Sequence, residues 1–156
     1  MAELKARLRA DLSAAIKARE STRMAALRMA LTALTTEEVA GDTARELSDA
    51  EVQKVLTREV KKRKEAAEAF AGAGRAERAQ AELDEAAVLT DYLPRQLTED
   101  ELETLVTEAV AEVTEQLGAA PGQRQMGQVM KAANAKVAGR AEGGRVAASV
   151  RAKLQG

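Results

Sequence analysis

Asp91-Tyr92-Leu93-Pro94-Arg95-Gln96-Leu97-Thr98-Glu99-Asp100-Glu101 holds the only tyrosine of the chain and one of its two prolines. Proline has no backbone N–H and disfavours the α region for the residue before it, so a helix is expected to end near Leu93. Thr98 to Glu101 then has the form of a capping box, in which a hydroxyl and a carboxylate satisfy orphan N–H groups at a helix start. A stop followed so closely by a start predicts a corner between two helical parts, residues 1–93 and 94–156. Tyr92, Leu93 and Pro94 are the expected hinge or bracket, with Tyr92 as its packing anchor.

Upstream of the corner, Leu4, Leu8, Leu12 and Ile16 recur every four residues and predict a first helix from Glu3 to Glu20, interrupted at Ser21 or Thr22. Met24, Leu27, Leu31 and Leu34 predict a second helix, capped near Gly41-Asp42. Ser48-Asp49-Ala50-Glu51 is another capping box and opens a third, with Val52, Leu56, Val60, Ala67 and Phe70 inward. Ala71-Gly72-Ala73-Gly74 breaks it. A fourth helix from Arg75 to Tyr92 is expected to turn Leu83, Ala86, Leu89 and Leu93 inward. These four helices make two hairpins.

Downstream, Thr98 to Leu117 predicts a fifth helix, with Gly118 where a C-terminal glycine belongs. Pro121-Gly122 is a turn, Gln123 to Val137 a sixth helix, and Val146, Val150 and Leu154 mark a last one. Three helices in about sixty residues lie near the lower limit for independent stability.

Composition supports an all-α fold. Apolar residues make up 46% of the 156 and aromatics only 1%, so the core must be built from Leu, Val, Met and Ala. With no cysteine and no histidine, thiolate and imidazole metal sites, cysteine nucleophiles and His-based acid–base catalysis are excluded. No stretch approaches the roughly 20 apolar residues that cross a bilayer, and the charged start is unlike a signal peptide. A soluble cytoplasmic protein with no membrane, metal or cofactor is the expectation.

Charge is unevenly distributed. Residues 94–117 carry one basic side chain against seven acidic ones, a net of −6, whereas residues 118–156 carry seven basic against one acidic, a net of +6. The basic segment either meets an anionic partner or pairs with the acidic helix beside it.

Within the basic segment, Arg124, Gly127 and Lys131 surround the start of the sixth helix. Gly127 costs about 1 kcal/mol relative to alanine in a helix. Its return is close backbone approach, either of a second helix or of a phosphate at a helix start. Gly139-Arg140 and Gly143-Gly144-Arg145 form a glycine-rich loop whose arginines either hold phosphates or serve as exposed caps. In the first part, Arg58, Lys61 and Lys62 share a helix face and form either a phosphate-binding stripe or a solvated face bridged to Glu65 and Glu68. Carboxylates are plentiful, but no spacing selects a catalytic pair, a nucleophile with its base, or a phosphate-binding loop.

Leu27-Arg28, Val60-Lys61-Lys62-Arg63-Lys64-Glu65-Ala66, Gly74-Arg75, Tyr92-Leu93-Pro94-Arg95-Gln96-Leu97, Met126-Gly127-Gln128-Val129-Met130-Lys131 and Val137-Ala138-Gly139-Arg140-Ala141-Glu142-Gly143 together resemble the YqeY-like, GatB/YqeY domain family over nearly the whole chain. The second part is similar to the tail of the GatB subunit of bacterial glutamyl- and aspartyl-tRNA amidotransferase. Two features depart from the family pattern. Arg124-Gln125 stand where Lys-Asp is frequent, and Glu142 where the usual acid is Asp.

The resemblance implies a helical amino-terminal part joined to a three-helix tail of the kind that grips the outside of tRNA. The glutamine-dependent carbon–nitrogen ligase activity associated with the family lies in parts this chain has no room for, so no intrinsic catalysis is expected. A tRNA-associated accessory protein with tRNA or another folded RNA as partner is the leading expectation. The alternative is a non-catalytic helical module that docks a protein of the translation machinery. Arg124, Gly127, Lys131, Arg140, Arg145, Arg58, Lys61 and Lys62 are the candidate nucleic-acid contacts.

Overall fold

A computed structural model describes residues 2–155 and contains seven α-helices, with no strand among the described residues. The fold is all-α. The chain divides into two compact units, Met1–Leu93 and Pro94–Gly156.

The first unit comprises α1 (Glu3–Ala18), α2 (Ser21–Glu38), α3 (Asp49–Gly72) and α4 (Ala76–Thr90). Its core gathers Leu8, Leu27, Leu34, Val52, Leu56 and Leu89, all fully buried, around small Ala26 and Ala30. The Ser48 hydroxyl accepts the Glu51 N–H, and the Glu51 carboxylate accepts the Ser48 N–H at 2.8 Å, so the expected capping box opens α3. Gly74 closes the α3–α4 turn with φ +75°, a left-handed conformation that favours glycine. The Arg75 N–H there reaches the Phe70 carbonyl at 2.8 Å.

Several predicted details are displaced for geometric reasons. α1 stops at Ala18, where Arg19 adopts φ +58° and turns the chain, and Ser21 begins α2 instead of interrupting α1. A step of four residues overshoots a helical turn by about 40°. The stripe from Leu4 therefore drifts, Ala15 takes the buried position, and Ile16 is 45% exposed. α2 ends at Glu38 with Val39 as its cap, ahead of Gly41, which keeps a negative φ. On α4 the buried ladder is Ala79, Ala86 and Leu89, while Leu83 is 42% exposed. α4 also stops at Thr90, and Tyr92 and Leu93 form a turn bonded back to Leu89 and Thr90.

The second unit comprises α5 (Glu99–Leu117), α6 (Met126–Val137) and α7 (Gly143–Gln155). Leu97, Leu102, Val106, Ala109, Val113, Val129, Ala133, Val137, Val146 and Val150 form a core without a buried charged side chain among the described residues. Thr98 and Glu101 make the expected capping box, and Gly118 takes φ +72° behind α5. Gln123–Gln125 form a single 3-10 turn that leads into α6, so α6 begins three residues later than its periodicity predicts. The Gln125 carboxamide accepts the Gly122 N–H at 2.8 Å and caps that turn.

Candidate nucleic-acid interface

The glycine-rich loop between α6 and α7 is tightly tied within its own unit. Ala138 and Gly139 take positive φ values of 49° and 79°, which reverse the chain after α6. The Arg140 guanidinium then folds back, donating to the Val137 carbonyl at 3.0 Å and the Lys136 carbonyl at 2.8 Å, so it caps the helix it follows. Its own carbonyl accepts the Leu97 N–H at 2.7 Å. From the far side of the loop, Arg145 donates to the Leu97 carbonyl at 2.9 Å and twice to Glu99, at 2.7 and 3.0 Å. Both backbone groups of Leu97 are thus held by the two arginines, one through its main chain and one through its side chain.

Glu142 completes this clamp by accepting the Gly144 N–H at 3.1 Å. A Cβ at Gly144 would lie 3.0 Å from that carboxylate, which would have to shift by a few tenths of an ångström. Cation–carbonyl bonds tie the loop down, and the donors of Arg140 and Arg145 that make them point into the unit.

Arg124, Gly127 and Lys131 have different surroundings. All three are exposed, on a stripe continued by Gln128, Asn134 and Ala135 along the outer side of the 3-10 turn and α6. Helical spacing of three and four brings these positions to one face. No Asp or Glu lies between Glu115 and Glu142. Among the described residues Arg124 and Lys131 form no ion pair, whereas Lys136, on the flank of α6, bridges to Glu112 at 3.3 Å. A Cβ built on Gly127 meets nothing within 4 Å. Close packing against a second helix is therefore not why glycine stands there, and the backbone at this point is open to solvent.

In the first unit Arg58, Lys61 and Lys62 are exposed on α3, together with Lys54. Arg58 donates to Glu37 of α2 at 3.0 Å and Lys62 lies 3.7 Å from Glu59, so for these two the partner is neither Glu65 nor Glu68. Arg63, in the middle of the basic run, behaves differently and is 3% exposed. Sequence reasoning missed it, although its signal was present: position 63 continues the ladder of Leu56, Val60 and Ala67.

Tyr92 belongs to the first unit, where it is buried against α1 and α2. Its hydroxyl donates to the Asp11 carboxylate, accepts from Arg23 at 3.4 Å, and its ring lies 4.6 Å beneath the Arg7 guanidinium. Burial, then the bond to anionic Asp11, push the phenol up to about 12, so it stays protonated and donating at neutral pH. At the start of α5, Arg95 makes a two-pronged contact with Glu101 at 2.6 and 3.2 Å. Those hydrogen bonds, with help from Thr98, hold the Glu101 carboxyl down at about 2.

Two surface depressions, of about 350 and 470 Å³, are lined by Thr35, Glu38, Val39, Ala44, Arg45 and Glu46 and by Arg19, Glu20, Ser21, Thr22 and Arg23. Both are wide open, and neither includes a candidate nucleic-acid contact. No group of three or more Asp or Glu side chains among the described residues gathers closely enough to hold a metal ion. No helix among them is long and apolar enough to cross a membrane. The chemistry this surface offers is recognition of anions by exposed cations on a helix face. The model of one protein family, described as Yqey-like protein, matches residues 5–154. No curated protein matches the chain.

Proposed function

We propose that this chain, which belongs to the Yqey-like family, is a non-catalytic RNA-binding accessory protein that grips folded RNA such as tRNA through the outer face of α6. The observation that carries this reading is the unpaired Arg124–Gly127–Lys131 stripe, set in a segment free of carboxylates. Cations without protein partners are free to replace the counterions of a phosphate backbone. The resemblance of the second unit to the tail of the GatB amidotransferase subunit supports the choice of tRNA. A chain with one tyrosine and one phenylalanine has little means of stacking single-stranded bases, which favours reading by shape and phosphate position. Arg140 and Arg145 support the stripe indirectly by fixing the end of α6.

Titration of labelled tRNA against the protein over a range of salt tests the reading. Log Kd should change linearly with log salt, and Arg124→Ala with Lys131→Ala should reduce that slope by about 2, roughly one for each phosphate no longer neutralised. An unchanged slope, or no binding at low salt, removes the proposal.

A second reading, docking of a protein of the translation machinery, is favoured by the outer face of α2. The Thr32, Thr35 and Thr36 hydroxyls donate to the carbonyls four residues earlier. These bonds satisfy the polar atoms of an exposed surface shared with Met29 and Val39. Capture of such a protein that depends on Thr32 and Val39 and is indifferent to Arg124 would favour this alternative.

A further inference from the structure

Arg63 carries a full positive charge into the first unit and distributes its donors over three helices. Nη1 donates to the Glu59 carboxylate at 2.8 Å and to the Glu59 carbonyl at 3.1 Å. Nε lies 3.5 Å from the Glu85 carboxylate on α4 without a hydrogen bond. Nη2 donates to the Met29 sulfur on α2 at 3.0 Å. A thioether sulfur has two lone pairs, and this bond occupies the one that faces the buried guanidinium. Met29 is 51% exposed, so small solutes reach its side chain from solvent. Met24, Met126 and Met130 instead pack against the two cores.

We propose that Met29 is a site of reversible oxidation by peroxide, at which Arg63 directs the incoming oxygen to one face of the sulfur and so selects one sulfoxide epimer. The free lone pair attacks one oxygen of hydrogen peroxide and the O–O bond breaks. The departing hydroxide takes the proton left on the transferred oxygen, so the products are the sulfoxide and water. Sulfur loses two electrons and peroxide gains them. With the inward lone pair held by Nη2, oxygen adds on the solvent side, and the new polar S–O bond points into water, where its formation disturbs no core. Each sulfoxide epimer is reduced by its own reductase, which makes the modification reversible and its stereochemistry readable.

The test treats the native full-length chain with dilute hydrogen peroxide and follows each methionine by peptide mass mapping. The oxidised protein is then divided between the two epimer-specific methionine sulfoxide reductases. Met29 is expected to gain oxygen about tenfold faster than Met24, Met126 and Met130, and a single reductase to clear nearly all of it. The same chain unfolded in urea should give the two epimers in roughly equal amounts and lose the rate difference. Arg63→Lys and Arg63→Gln, where they fold, should give a mixture at Met29; where neither folds, the urea-unfolded chain is the reference. Equal epimers in the native protein, a single epimer that survives loss of the guanidinium, or core methionines that keep pace with Met29 would each overturn the proposal.

Discussion

The two units use charge in opposite ways. The first takes charge inside: Arg63 sits among Glu59, Glu85 and Met29, Lys5 is buried against Glu38, and Tyr92 is tied to Asp11. Among the described residues the second has no buried charge in its core. It places Arg140 and Arg145 in the clamp around Leu97, pairs Arg95, Lys136 and Lys153 with carboxylates at its surface, and leaves Arg124 and Lys131 bare on the outer face of α6. Long helices explain the first arrangement, because a 24-residue α3 must continue its inward ladder where small, helix-favouring residues leave room for a guanidinium. The smaller size of the second unit explains the second, because three helices bury too little to accommodate an ion's desolvation cost. The lesson is that a cation's availability to a ligand depends on whether the fold already supplies its partner.

Breaking the buried network should have the largest effect. Arg63→Ala removes the buried cation between Glu59 and Glu85 and should destabilise the first unit by about 3–5 kcal/mol, read from urea unfolding followed separately in each unit. The second unit's transition should not move. Glu85 sharpens the point, since burial and then the nearby Glu82 raise its pKa even beside Arg63. A carboxyl raised by folding favours the native state most when protonated. Its contribution therefore falls as pH rises through the carboxylate range, and Glu85→Gln should flatten that trend in a pH series of unfolding midpoints.

Next in size is the clamp. Arg145→Ala removes the bonds to Leu97 and Glu99 and should cost the second unit about 1–2 kcal/mol, with faster amide exchange at Gly144. The capping boxes are matched across the two units, so Ser48→Ala and Thr98→Ala should each cost about 1 kcal/mol, seen only in the unit that carries the change. Glu101 adds a pH signature to the second box. Its folded pKa is depressed, so its stabilisation is present above the ordinary carboxylate range and is lost as pH falls toward about 2. Arg95→Ala should remove most of that acid dependence.

The smallest effect on stability should come from the bare stripe. Arg124→Ala and Lys131→Ala should each leave stability within about 0.5 kcal/mol of the parent, because neither side chain has a partner to lose among the described residues. They should nevertheless weaken RNA binding more than Arg145→Ala does once folding is controlled. If Arg145 proves the stronger determinant of binding, the division between structural and available cations fails.

Local rules made much of this molecule legible. Thr98-Glu99-Asp100-Glu101 and Ser48-Asp49-Ala50-Glu51 bring donor and acceptor together within four residues, so both helix starts followed from short-range hydrogen bonding. Gly118 and Gly74 were readable for a similar reason, since a left-handed residue behind a helix favours glycine. The all-α fold followed from alanine, leucine and charged residues at helical spacing with almost no aromatics. The chemistry excluded by the lack of cysteine and histidine was equally plain. The candidate stripe was half-legible: its residues could be named, but the sequence put Arg140 and Arg145 forward with Arg124 as phosphate contacts.

What separated them was tertiary structure. Whether an arginine is bare or engaged depends on carbonyls and carboxylates that lie 46 and 48 residues away in the chain, as Glu99 and Leu97 do from Arg145. The inward turn of Arg63, the drift that exposes Ile16 and Leu83, and the open space around Gly127 depend in the same way on which helices pack and at what level. Periodicity specifies a face to within a residue or so, whereas burial of one long side chain is decided by the neighbours that close over it. The sequence by itself therefore determined the helices and their caps, because those interactions are local. Only the folded units determined which charges remain free to bind, because that depends on partners the chain meets through packing.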